Sequence, residues 1–193
     1  MKRALLMVLT TVILSSAASA ELLPARGYIS LYADESRSYS AYCPLPAGYL
    51  LAKVDVWVWC LPSENGLWGA EFAIGYPSNV ISDRVTLNGD LSTATGDLLS
   101  GISARFDECQ WDWCWIAHQT LYVNSREQTY LEVVSHSGSG VFQLYSCSNG
   151  HPAEPCLKGT NLYLNSAAPC LTVETEIGTE ESTWGLLKSL FTE

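Results

Sequence analysis

The sequence predicts an all-β protein, a two-sheet antiparallel β-sandwich followed by a short C-terminal helix. Apolar residues recur at alternate positions in run after run through the middle of the chain, and turn-rich breaks separate those runs. Helical spacing is confined to the C-terminal end. Many short strands set apart in this way favour two antiparallel sheets packed face to face.

The chain opens MKRALLMVLTTVILSSAASA, with Lys2 and Arg3 ahead of an apolar run and small residues at Ala18-Ser19-Ala20. That pattern predicts a secretory signal peptide over residues 1–20, and the apolar run is short for a span of about 20 residues. No membrane span is expected after cleavage. The sandwich is placed at residues 21–175, and a linker with an amphipathic helix at 176–193.

YISLYA is the first strand, with Ile29, Leu31 and Ala33 on one face. In LLAKVDVWVWC the even positions from Leu50 to Cys60 are all apolar and face the core, which turns Lys53, Asp55, Trp57 and Trp59 outward. After the turn PSENG, the run WGAEFAIGYP is read with Trp68, Ala70, Phe72, Ile74 and Tyr76 on the inner face and Glu71 opposite. The polar segment from Ser78 to Ser103 holds one or two edge strands and long loops. Further strands are read at WIAHQTLYV, TYLEVV, VFQLYSC and NLYLN. In STWGLLKSLFTE, Trp184, Leu187, Leu190 and Phe191 fall on one helical stripe behind an N-cap at Ser182 or Thr183. A helix this short needs something to dock on.

The formal charge of −10 deepens further when Lys2 and Arg3 leave, which argues against nucleic acid and anionic membrane surfaces as partners, since both would be repelled. Seven cysteines, Cys43, Cys60, Cys109, Cys114, Cys147, Cys156 and Cys170, follow the leader. In an oxidising compartment they predict three bridges and one spare thiol, with the connectivity open.

CQWDWCWIAH (109–118) concentrates cysteines, tryptophans and a histidine. A zinc site would need matched ligand spacing, and neither Cys109, Cys114 and His118 nor Cys147, His151 and Cys156 supplies it. Thioredoxin-like chemistry needs close cysteines at a helix N-terminus, whereas this stretch reads as a strand. LNGDLSTATGD lacks the spacing of a calcium loop. No G-x-S-x-G elbow is present, and His118, His136 and His151 stand outside any recognisable catalytic motif. No cofactor and no metal are expected. The live candidates are the tryptophans: Trp57 and Trp59 point outward, and Trp111, Trp113 and Trp115 share a face if their segment is extended. Exposed coplanar rings stack on sugars, while covered rings are architecture.

Two resemblances follow from these residues. VDVWVWC, SENGLWGAEFAIGYP, VTLNGDLSTATGD and TYLEVVSHSGSGVFQLYSC, from about Lys53 to Cys147, resemble the strand pattern of cohesin-type sandwiches, a pattern that carbohydrate-binding sandwiches share. The chain is also similar to a group of exported bacterial proteins without an assigned activity. They share the opening G-[YL]-I-x-L-Y-A-D (Gly27 to Asp34), a Y-S-C element (Cys147), N-x-x-x-x-C (Asn165 to Cys170) and the ending T-W-G-x-[IL]-K-[SA]-L-[FY] (Thr183 to Phe191). The resemblance implies a cohesin-like jelly roll and no reaction. Against the simplest members, Cys60, Cys114 and Cys156 are extra, and if extras come as partners Cys60 pairs with Cys114.

The expected function is therefore a secreted, non-enzymatic binding or structural module of the cell surface or extracellular space. Its tail stripe would pack on the sandwich or dock on a protein partner. The alternatives are a carbohydrate-binding module using the tryptophans on a glycan, and a hydrolase whose carboxylates are dispersed in sequence.

Overall fold

The computed structural model describes residues 24–46, 51–167 and 169–173. The expected leader and the helix bearing Trp184, Leu187, Leu190 and Phe191 lie outside the described residues.

Among the described residues twelve strands form in chain order: β1 (Tyr28–Tyr32), β2 (Ala52–Leu61), β3 (Leu67–Gly75), β4 (Val80–Leu87), β5 (Leu91–Asp97), β6 (Gly101–Gln110), β7 (Cys114–Val123), β8 (Thr129–Val134), β9 (Gln143–Tyr145), β10 (Ala153–Pro155), β11 (Leu157–Lys158) and β12 (Leu162–Leu164). The first sheet runs β11-β1-β2-β7-β4. The second runs β10-β9-β3-β6-β5, with β8 on the far half of β3 and β12 beyond it. All pairings are antiparallel except β1 with β11. Every described stretch expected to be a strand is one, and the Ser78–Ser103 segment supplies the two edge strands β4 and β5 and the start of β6.

The two inner faces share one core. Val54, Val56, Val58 and Cys60 of β2 are buried in a single cluster with Phe72 and Ile74 of β3, Ile102, Ala104 and Phe106 of β6, and Ile116 and Leu121 of β7. Packing of this kind supplies the main favourable term for folding.

Two irregularities decide which side chains point outward. Val58 pairs with Ala117 but Trp59 pairs with Trp115, so Ile116 is an extra residue on β7. The alternation flips there. Trp115 before the bulge and His118 after it both sit on the outer face, and Gln119 turns inward and is buried. On β3 the register shifts between Leu67 and Gly69. Leu67 is fully buried and Trp68 lies outside, which corrects the reading that put Trp68 on the inner face with Ala70 and Phe72. A uniform period of two cannot register either slip.

Cys43 bonds Cys170, tying the segment after β1 to the chain beyond β12, and Cys109 bonds Cys147 at the start of the crossing between sheets. Two bridges stand where three were expected. Cys60, Cys114 and Cys156 are thiols. Cys60 and Cys114 face each other as Cα partners on β2 and β7, as the suggested pairing would require, but they are unbonded.

Candidate functional site

The outer face of the first sheet gathers most of the tryptophans. Trp57 of β2 stacks on His118 of β7, with centroids 4.3 Å apart and planes at 21°. Its edge meets Trp115 at 5.5 Å and 75°. His118 Nε2 lies 3.0 Å from Asp55 Oδ1, and Thr120 Oγ1 donates to the same oxygen at 3.0 Å. Cross-strand pairing places all of these: Trp57 is opposite His118, Asp55 is opposite Thr120, and Trp59 is opposite Trp115.

Beside this group lies a second set, organised by the loop after β1. Asp34 accepts hydrogen bonds from Ser36 Oγ, from Ser38 N at 3.1 Å and from Tyr39 N at 2.8 Å. Partial burial works to raise this carboxyl, but those donors outweigh it and hold it below its ordinary range. The closed loop leaves Arg37 in the left-handed region at φ 60°, uncommon for a residue other than glycine. Its guanidinium carbon sits 4.5 Å from the Trp59 ring centroid and 4.9 Å from that of Trp113. Tyr32 closes on Trp113 edge to face at 6.2 Å.

The five candidate tryptophans are therefore not one platform. Trp57 and Trp115 brace each other, and Trp113 is half-buried beside Arg37. Trp59 is covered, 9% exposed, with its indole nitrogen buried and without a hydrogen-bond partner. Trp111 is 57% exposed and belongs to the link between β6 and β7. It packs over the turn at Gly66, where a Cβ would stand 3.1 Å from its ring and 2.9 Å from Cys147 Sγ. Only glycine fits that turn, whose φ is 73°. The expected single row of Trp111, Trp113 and Trp115 is broken because the chain changes sheets between Gln110 and Cys114.

The second sheet carries an outer cluster that periodicity did not indicate. Trp68 stacks on His151 at 3.9 Å and 13°, and Tyr145 meets it edge to face at 6.5 Å. The Arg105 guanidinium lies 5.1 Å from the Trp68 ring and 5.9 Å from that of Tyr145. At the centre, Glu71 accepts from Tyr145 Oη at 2.8 Å, Gln143 Nε2 at 3.3 Å and Ser139 Oγ. Burial pushes this carboxyl up, but the donors prevail and hold it below its ordinary value. The same burial and the Glu71 charge raise the Tyr145 phenol.

Other groups with chemical potential are committed internally. Cys109 and Cys147 are bonded to each other, which removes a thiolate from each of the two candidate ligand sets. Burial pushes the Cys114 and Cys156 thiols up to about 12 and raises Cys60 well above its ordinary value, so they stay protonated and weakly nucleophilic at neutral pH. Among the described residues no group of three or more His, Cys, Asp or Glu is arranged to hold a metal ion. A cleft of about 360 Å³ opens beside β4 and the β5–β6 turn, lined by Tyr76, Val85, Leu98, Leu99 and Gln119 among others. Its polar groups are spent: Tyr76 Oη donates to Gln119, whose Nε2 donates to Ser82 Oγ at 2.6 Å, and Asp97 accepts from Ser100.

No family model matches the chain, and no curated protein matches it. Solved structures similar to it include the seventh ScaB type I cohesin from Pseudobacteroides cellulosolvens, at 11% identity and a TM-score of 0.49 over 80% of this chain and 97% of that one. A non-cellulosomal cohesin from the archaeon Archaeoglobus fulgidus is similar at 10% identity and 0.44, covering 83% and 98%. A type I cohesin–dockerin complex from Clostridium thermocellum contains a third, at 10% identity and 0.45, covering 75% and 97%. The sandwich itself stands on its own strand order and register.

Proposed function

We propose that this chain is an exported, non-catalytic binding module whose first sheet presents its outer face to a protein partner. The observation that carries this reading is the concentration on that face of two neighbouring clusters, Trp57 with Trp115 and His118, and Trp113 with Tyr32 and Arg37, while the inner face of the same strands belongs to the core. Aromatic residues and arginine are the side chains enriched at the centres of protein interfaces. Sugar stacking needs an open ring face, and here His118 lies on Trp57 and Arg37 on Trp59 and Trp113. The two disulfides support an oxidising compartment outside the cytoplasm.

The test is retention of binding partners from the producing cells by the wild-type chain and by a Trp57→Ala, Trp115→Ala double variant of unchanged fold. A partner held by the first and lost by the second is expected. Equal retention would move the function off this face. A second reading is favoured by one observation alone: the exposed ring of Trp111 is open to a sugar, and loss of glycan retention on Trp111→Ala would establish it.

A further inference from the structure

We infer that Arg37 is the group on this face that receives a carboxylate from an acidic peptide segment of the partner. The inference rests on the protein-binding reading of the same face and adds the chemistry of what is bound.

Arg37 is held for this. Its backbone is fixed in the left-handed region by a loop whose turns end on the Asp34 carboxylate, and its guanidinium lies against two indole rings. Stacking on aromatic faces leaves the in-plane N–H donors of a guanidinium unspent, and the planar fork matches a carboxylate with two parallel hydrogen bonds. Among the described residues the ion pairs are His118 with Asp55 and Lys158 with Glu132, so no carboxylate neutralises Arg37. Of the two acids on its own loop, Asp34 is occupied by Ser36, Ser38 and Tyr39, and the exposed Glu35 forms no ion pair with it among the described residues. The indole nitrogen of Trp59, in the ring that Arg37 covers, is a second donor without an acceptor.

A half-buried, pre-oriented cation with no counter-charge is costly to leave unpaired and gains most when an anion arrives. A peptide rather than an acidic sugar is favoured because the rings a sugar would stack upon are already occupied. The chain's overall negative charge does not forbid such a ligand, since at physiological ionic strength charges farther than about 8 Å are largely screened. Arg105 on the opposite face makes a useful contrast: it also lies over aromatic rings, but it is exposed and sits next to the Glu71 network.

The experiment titrates the full chain with end-capped hexaglutamate and, separately, with trigalacturonate, following tryptophan fluorescence and the indole N–H resonances at low and high salt. Saturable hexaglutamate binding is expected, with the Trp59 indole signal shifting and affinity falling as salt rises. Arg37→Gln should weaken it about tenfold or more, Arg37→Lys less, because the charge stays and the fork is lost. Arg105→Gln should leave it unchanged. Equal binding by Arg37→Gln, or no binding of either probe, overturns the inference. Binding of the sugar alone overturns the peptide source. Partner capture that depends on Trp57 and Trp115 but not on Arg37 removes the carboxylate and keeps the face, whereas capture independent of all three removes the face as well.

Discussion

The two outer faces of the sandwich are built from the same elementary contacts and put them to different ends. Each has a tryptophan stacked on a histidine, Trp57 on His118 and Trp68 on His151, and each has an arginine over aromatic rings. On the second sheet these contacts surround a carboxylate, Glu71, whose oxygens are filled by Tyr145, Gln143 and Ser139. On the first sheet no carboxylate among the described residues pairs with the arginine, and its loop is pinned with the guanidinium against two rings. The lesson is that stacking alone does not mark a site. What separates the faces is whether the strongly polar groups are already satisfied within the chain.

The most severe way to break the comparison is to remove what both faces stand on. Phe72, fully buried between the sheets, should cost about 3–5 kcal/mol as Phe72→Ala in denaturant unfolding, and both clusters should be lost in one transition. Separate transitions for the tryptophans of the two sheets would mean that the faces do not share a core.

Next in size is the difference between the faces themselves. Trp59 is covered and Trp68 only half so. Trp59→Ala should therefore destabilise by about 3 kcal/mol and Trp68→Ala by roughly half as much, measured by the same unfolding curves. A reversed order would show that the second face carries the structural load.

A smaller effect isolates the satisfied carboxylate. Tyr145→Phe removes one donor from Glu71 and should cost about 1 kcal/mol. The Glu71 midpoint in an NMR carboxyl titration should move up toward the ordinary value. An unmoved midpoint would mean that Ser139 and Gln143 alone hold it.

The smallest effect is the pH dependence, and it touches both faces. The Asp34 and Glu71 carboxyls lie below their ordinary values in the folded chain. Each therefore contributes stability that is present above the unfolded value near 4 and is lost as pH falls through the lower folded one. Below about pH 4 the Arg37 loop should loosen first in hydrogen exchange at Ser38 and Tyr39, whose N–H groups bond Asp34. Asp34→Asn should abolish that pH dependence and leave that of Glu71 intact. Both groups are solvent-accessible, so the size is modest and falls with salt.

Alternation in LLAKVDVWVWC and EFAIG was sufficient to place the core side of β2 and most of β3, because burial of one sheet face forces a period of two. Turn residues were sufficient to separate the strands and to mark β4 and β5 as edges. The candidate site was half legible. Trp57 was visible as an outward ring and Trp113 and Trp115 as candidates sharing a face, but His118 was hidden by the bulge at Ile116, and Trp68 was assigned to the wrong face by the register shift beside it. Arg37 carried no signal at all. Its partners Trp59 and Trp113 are distant in the chain, and only the Asp-x-Ser-x-Ser spacing from Asp34 hinted at a closed loop.

Taken alone, the sequence determined what depends on neighbours within a few residues: strand pattern, turns, the acidic charge and cysteines suited to an oxidising compartment. Tertiary structure decided everything that depends on register between strands far apart in sequence. It chose Cys43 with Cys170 and Cys109 with Cys147, left Cys60 opposite Cys114 as thiols, split CQWDWCWIAH across two sheets and brought Arg37 onto Trp59 and Trp113. The physical reason is that one extra residue in a strand reverses every side chain beyond it, and a single such residue, Ile116, places His118 beside Trp57 on the outer face.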